Sequence, residues 1–163
     1  IYDPKALTKD KITKEEYRRC RKPIGIGSLV GVIIGATPGT GGGLAAFIAY
    51  NQVKQASKHP ETFGKGEIEG VAVAESANIG ACGATMIPML TLGVPGDGAT
   101  AILMGAFMLH GMVPGPSLFA EQGNILYAIM LGLLVVNVFM YIVGTGFMRI
   151  LPAFPMRFWL PSY

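Results

Sequence analysis

Asn78 and Asp97 stand in stretches almost free of charge, each beside apolar sequence interrupted by glycine. A buried amide can offer its oxygen to a cation or its NH₂ to a carboxylate. A carboxylate at membrane depth can ligate a cation or take a proton. Both residues are therefore candidate sodium ligands, and each has a plainer reading. Asn78 could cap a helix or bond a neighbouring one; Asp97 at a surface would be a turn aspartate. Thr37, Thr40, Thr91 and Thr100 flank the breaks and carry hydroxyls suited to an ion or a carboxylate, though such hydroxyls also back-bond within helices. Glu75 reads as an interfacial residue that caps the next helix, and His110 as an interfacial histidine at the end of an apolar arm.

These side chains matter because of the backbone around them. The first break runs Thr37-Pro38-Gly39-Thr40-Gly41-Gly42-Gly43, and the second Val94-Pro95-Gly96-Asp97-Gly98. Non-helical backbone at membrane depth survives only when buried in protein or lining a wet cavity. Half-helix N-termini present free N–H groups, and unwound carbonyls present partial negative charge. Such a pair can hold an anion and a cation side by side, as in secondary transporters. The candidate substrate and ion site is thus Pro38, Gly39, Thr40, Gly41 and Gly42 at the first break, with Asn78. From the second come Thr91, Gly93, Pro95, Gly96, Asp97 and Thr100. The plain alternative is a pair of ordinary loop turns. Gly35 to Gly43 superficially suggests a phosphate loop, but it lacks the Gly-Lys-Ser/Thr ending and no strand precedes it. Nucleotide binding is excluded.

The elements that must position these residues are helices in lipid. Half the residues are apolar and 14% are charged, against about 25% in soluble domains. No charged residue occurs from Pro23 to Tyr50 or from Asn124 to Met148. Residues 1–23 hold eight Lys and Arg and read as a cytoplasmic loop or short helix, capped at Thr13 and stopped by Pro23. Residues 24–53 read as a re-entrant helix pair or one broken crossing. A polar connector occupies 54–75, and 76–112 a span plus a broken half-helix. An outer loop follows at 113–123, a transmembrane helix at 124–148 and an interfacial tail at 149–163, where Arg149, Arg157, Trp159 and Tyr163 suit the membrane boundary. Gly27, Gly31, Gly35 and Gly39 recur every four residues and predict one smooth helix face for close packing. Cys20 and Cys82 form neither a metal pair nor a disulfide framework. The expected fold is all-α, a polytopic membrane bundle with broken and re-entrant helices, and the chain reads as a segment of a longer protein.

The ordered run Gly35-Ala36-Thr37-Pro38-Gly39-Thr40-Gly41-Gly42, Ser57-Lys58-His59-Pro60-Glu61, Phe63-Gly64-Lys65-Gly66, Glu75-Ser76-Ala77-Asn78, Pro88-Met89-Leu90-Thr91-Leu92-Gly93-Val94-Pro95-Gly96 and His110-Gly111-Met112-Val113-Pro114-Gly115-Pro116 resembles the large permease subunit of the tripartite tricarboxylate transporters, near the start of its second half. The resemblance covers Gly25 to Phe119 and implies that the chain is a fragment of a larger inverted-repeat-type transporter. It implies a multi-pass protein of the bacterial inner membrane that takes up citrate or related carboxylates, with sodium as coupling ion and no organic cofactor. Its implied partners are a small membrane subunit and a periplasmic solute-binding protein. This chain departs from the family pattern at Ala74, where a proline is usual, at Ile79, where a second asparagine is usual, and at Asp97, where a small polar residue is usual.

The competing classes are a channel or structural scaffold of the membrane, and an intramembrane enzyme. Paired breaks argue against a plain scaffold. No Ser/His/Asp set, zinc spacing or Cys/His pair falls at matching depth, so an enzyme is not expected. The basic residues lie beside apolar spans and mark topology rather than nucleic-acid binding.

Overall fold

The computed structural model describes residues 12–150, with side chains described as far as Phe147. Residues 1–11 of the basic stretch, and Arg157, Trp159 and Tyr163, lie outside the described residues, as does the side chain of Arg149. The described residues fall into two compact units, one of residues 12–123 and one of residues 124–150. Among the described residues all regular structure is helical: α1 (Lys14–Gly35), α2 (Gly41–Ala56), a 3₁₀ turn at Pro60–Thr62, α3 (Ile68–Ala84), α4 (Met86–Leu92), α5 (Gly98–Leu109), α6 (Pro116–Glu121) and α7 (Gly123–Ile150).

α1 opens on the capping box read from the sequence. The Glu16 N–H donates to Thr13 Oγ1 at 3.2 Å, and the Thr13 N–H donates to Glu16 Oε2 at 2.7 Å. The expected stop at Pro23 does not occur; the helix passes through that residue, which is buried in its interior. A proline there removes one backbone hydrogen bond and crowds the preceding turn. The flanks on both sides are anchored to α3, which holds the helix together across the defect. On the N-terminal side Arg19 Nε and Nη2 donate to Glu69 and Glu67, both at 3.0 Å. On the C-terminal side Gly27, Gly31 and Gly35 are buried.

That glycine face sits directly on α3. A Cβ at Gly31 would collide with the carbonyl of Ala77, one at Gly27 with Ser76 Oγ and the carbonyl of Val73, and one at Gly35 would lie 2.7 Å from the Cα of Ala81. The contact is reciprocal, since a Cβ at Gly80 would come within 2.9 Å of the Ser28 carbonyl. Gly39, the fourth member of the expected stripe, has left the helix and stands in the break at φ 79°. The opposing face of α3, through Val73, Ala77 and Ala81, is fully buried, as are Ala45 and Ala49 of α2, which closes the three-helix core.

α3 begins at Ile68, inside the expected polar connector. Glu67 and Glu69 are not loop charges: they lie at its N-terminal end, where acids complement the helix dipole and Arg19 pairs with them. Glu75 consequently falls in mid-helix, exposed, and caps nothing. The rest of the connector is folded back on α2, with Tyr50 and Phe63 packed edge to face at 5.5 Å. Cys20 is buried; burial pushes its thiol up, with Glu69 adding to the effect, so it packs as a small apolar group rather than a reactive thiolate.

The apolar run after Asn78 is divided. α3 yields to α4 at the fully buried Thr85, and α4 ends at Gly93, whose φ of 68° terminates it in left-handed geometry. A Cβ there would come within 2.8 Å of the Pro114 carbonyl, and the Gly115 N–H donates to the Leu90 carbonyl at 3.1 Å. The stretch expected as an outer loop thus packs against α4 and starts α6. α2 to α6 have 16, 17, 7, 12 and 6 residues. Each is shorter than the roughly 20 residues that cross a bilayer core. In the second unit, residues Gly123–Phe147 of α7 form the one stretch among the described residues long and apolar enough to cross.

The glycine face gives a paired test in the full-length protein carrying this segment. Gly31→Ala drives a methyl group into backbone and is expected to destabilise by about 1–3 kcal/mol. Gly25→Ala, with nothing within 4 Å, is expected to be neutral or to stabilise by up to about 1 kcal/mol. Thermal unfolding in detergent reads both; equal effects would remove the packing argument.

Candidate functional site

The first break has a tight hydrogen-bonding logic. Thr40 is the residue before α2, yet its hydroxyl does not cap that helix. It points back to the end of α1, lying 2.6 Å from the Ile34 carbonyl and 2.8 Å from the Thr37 carbonyl. The Ile34 carbonyl in the last turn of α1 thereby gains a partner, and the N-terminus of α2 is left without a side-chain cap. Its first three residues, Gly41, Gly42 and Gly43, add no side chain to cover the N–H groups. Gly41 adopts φ 65°, in the left-handed region that favours glycine.

The second break is built the opposite way. Asp97 Oδ1 accepts from the Thr100 N–H at 2.8 Å, and the Asp97 N–H donates to Thr100 Oγ1 at 2.9 Å. This reciprocal box caps α5, using one carboxylate oxygen. Asp97 is half-buried, and Thr100 is buried. Gly96 allows the turn to press on α3's end, since a Cβ there would lie 2.7 Å from the Thr85 Cβ.

Both breaks meet at α3. A Cβ on Gly42 would collide with Asn78 Oδ1, and one on Gly41 would lie 3.5 Å from the Asp97 Cβ. Thr40, Gly41, Gly42, Asn78 and Asp97 therefore share one locality, with Gly96 and Thr100 immediately behind Asp97. Other expected members stand apart. Pro38 and Gly39 form an exposed tip, with nothing within 4 Å of a Cβ on Gly39. Thr91 donates to the Ile87 carbonyl at 2.7 Å within α4. Gly93 faces Pro114, and Pro95 is half-buried between α4 and Asp97 in sequence. The Thr37 hydroxyl reaches back to Ile33, and His110 is exposed just beyond α5.

Sequence reasoning missed Thr85. Its hydroxyl donates to the Cys82 carbonyl at 3.0 Å and its side chain is the floor on which Gly96 rests. The available signal was a single β-branched hydroxyl residue between two apolar runs, the position where a helix bends. Among the described residues no group of three or more His, Cys, Asp or Glu side chains converges. The oxygens at this site come from one amide, one carboxylate, hydroxyls and backbone.

A family model described as the tripartite tricarboxylate transporter TctA family matches residues 3–154, and the chain belongs to that family. Two similar proteins come from Agrobacterium vitis. An uncharacterized 52.8 kDa protein in the TAR-I ttuC' 3' region is 42% identical over 133 residues, covering 82% of this chain and 26% of that relative. An uncharacterized protein in the TAR-II ttuC' 3' region is 41% identical over 114 residues, covering 70% of this chain and 47% of the relative. The chain thus spans about a quarter and about half of these curated relatives. No solved structure matches it.

The capping geometry separates two roles of Asp97. Asn is an equivalent N-cap, so Asp97→Asn is expected to leave thermal stability nearly unchanged, whereas Asp97→Ala is expected to lower it by about 1 kcal/mol. Equal loss in both variants, in thermal melts of the full-length protein, would show that the charge and not the cap holds the turn.

Proposed function

We propose that this segment supplies one side of the substrate and ion site in a secondary transporter for citrate or related carboxylates. The observation that carries the reading is the uncapped glycine N-terminus of α2 lying against Asn78 and Asp97. Uncapped N–H groups and the positive end of a helix dipole favour a carboxylate. The Asn78 NH₂ is within the same locality to donate to it. The cation is assigned to the oxygens beside it: Asn78 Oδ1, the second carboxylate oxygen of Asp97 and nearby backbone carbonyls. Sodium suits such a hard oxygen set, and a carboxylate and a cation placed together each lower the cost of desolvating the other.

The lengths of α2 and α5, 16 and 12 residues and so short of a full crossing, support placing this locality at depth rather than on a surface. Exposed apolar side chains on the unit of residues 12–123, among them Leu29, Ile33, Phe47, Ile79 and Ile102, suit lipid and further helices of a multi-pass bundle in the bacterial inner membrane. Membership of a tripartite family supports a small membrane subunit and a periplasmic solute-binding protein as partners. Binding at the paired breaks, occlusion and release on the other side is transport without covalent chemistry.

The test is uptake of radiolabelled citrate by proteoliposomes holding the full-length protein with its two partner subunits. An inward sodium gradient is compared with a potassium control, for the unaltered protein and for Gly42→Ala, Asn78→Ala and Asp97→Asn. Sodium-driven uptake is expected, reduced about tenfold or more in Asn78→Ala and Asp97→Asn by loss of an interaction with a charged group. Gly42→Ala, which presses first on the side-chain amide of Asn78 rather than on backbone, is expected to lose uptake at near-normal thermal stability. Full uptake in all three variants would remove the site, and absence of carboxylate uptake by correctly inserted protein would favour a channel or scaffold.

A further inference from the structure

The opposite end of the three-helix unit carries a second, differently built feature. α1 and α2 run in opposite directions and pack on α3, so the start of α1, the end of α2 and the start of α3 share one end. Between them lies a cleft of about 440 Å³. Its polar portion is lined by Arg19, Lys22, Ser57, Lys58 and His59, together with Glu69, the carboxylate that Arg19 neutralises. Pro23, Ile26 and Val53 line the rest, so the lining passes from cationic to apolar in a single turn of α1.

The cations in this cleft are not equivalent. Arg19 is held by Glu67 and Glu69, each at 3.0 Å, so its charge is compensated. Lys22 and Lys58 form no ion pair among the described residues. Two uncompensated ammonium groups therefore face one cleft, beside a guanidinium fixed in place and an apolar wall. A small soluble anion would use the cations and leave the wall uncovered. An anionic amphiphile uses both, and basic pockets between membrane helices bind phospholipid headgroups in this way.

We propose that this cleft is a binding site for the phosphate headgroup of an anionic phospholipid, with Lys22 and Lys58 contacting the phosphate and the glycerol end of the acyl chains lying on Pro23, Ile26 and Val53. Arg19 is a positioning residue, since its pairing with Glu67 and Glu69 fixes the cleft between α1 and α3. The site is separate from the locality around Asn78 and stands whatever that locality transports.

The experiment uses the full-length protein in nanodiscs of phosphatidylcholine containing phosphatidylglycerol as a minor component. After mild delipidation, retained phosphatidylglycerol is counted by native mass spectrometry. The double variant Lys22→Gln/Lys58→Gln is compared with Lys14→Gln/Arg18→Gln, whose cations lie outside this cleft. Retention is expected to weaken about tenfold or more in the first pair and to hold in the second, with both folded by thermal melt. Equal loss in both pairs would mean general surface attraction and overturn the site. So would unchanged retention in the first pair. Inorganic phosphate at millimolar concentration is added in a parallel arm: displacement of the lipid by phosphate alone would reassign the cleft to a soluble anion.

Discussion

The close approach of α1 and α3 is the constraint on which the rest depends. Gly27, Gly31 and Gly35 bring the α1 backbone against the carbonyls and α carbons of Val73, Ala77 and Ala81. In lipid, where apolar burial gives helices little reason to associate, such close packing is what holds them together. It also sets the height of everything else. Because α1 ends at Gly35 beside Ala81 and Ala84, the Thr37–Thr40 turn delivers Gly42 to Asn78, one turn earlier on α3. Larger residues in the stripe would lift α1 away and separate the two breaks.

The two breaks then divide the electrostatics between them. Thr40 turns its hydroxyl back to the Ile34 carbonyl of α1 and leaves α2 uncapped. Asp97 caps α5 with one oxygen and presents its charge beside Gly41. One helix start is thus uncapped, and the other carries a half-buried carboxylate. At the far end, Arg19 bridges to Glu67 and Glu69 and ties α1 to α3 where no glycine stripe remains.

Much of this was legible in the sequence, for physical reasons. The helix content followed from composition, the start of α1 from the Thr13–Glu16 box, and the packing face from glycines four apart. Asn78 and Asp97 stood out because polar groups are rare in such surroundings. The sequence misled where tertiary contacts overrode local rules. Pro23 did not end α1, since its flanks are anchored on both sides. Glu67 and Glu69 looked like connector charges and are helix-terminal partners of Arg19. Gly39 matched the stripe by spacing but lies in the turn. Thr85 gave only the weak signal of a lone hydroxyl between apolar runs, because its importance comes from Gly96, eleven residues later, resting on it. Several crossings were expected, and one described helix has the length and apolarity to cross alone; α1 is long enough but charged over its first nine residues, and α2 to α6 are short because the chain is broken between them.

The central claim is that the two breaks meet. The most direct measurement is disulfide formation between Gly41→Cys and Asp97→Cys in the otherwise cysteine-free full-length protein, read by mass spectrometry of digested peptides after mild oxidation. The 3.5 Å separation between the two Cβ positions falls within the range a disulfide spans. Efficient cross-linking of this pair, with none for Gly39→Cys and Asp97→Cys, is the expected result. Absence of the Gly41–Asp97 cross-link in folded protein would contradict the convergence and, with it, the site.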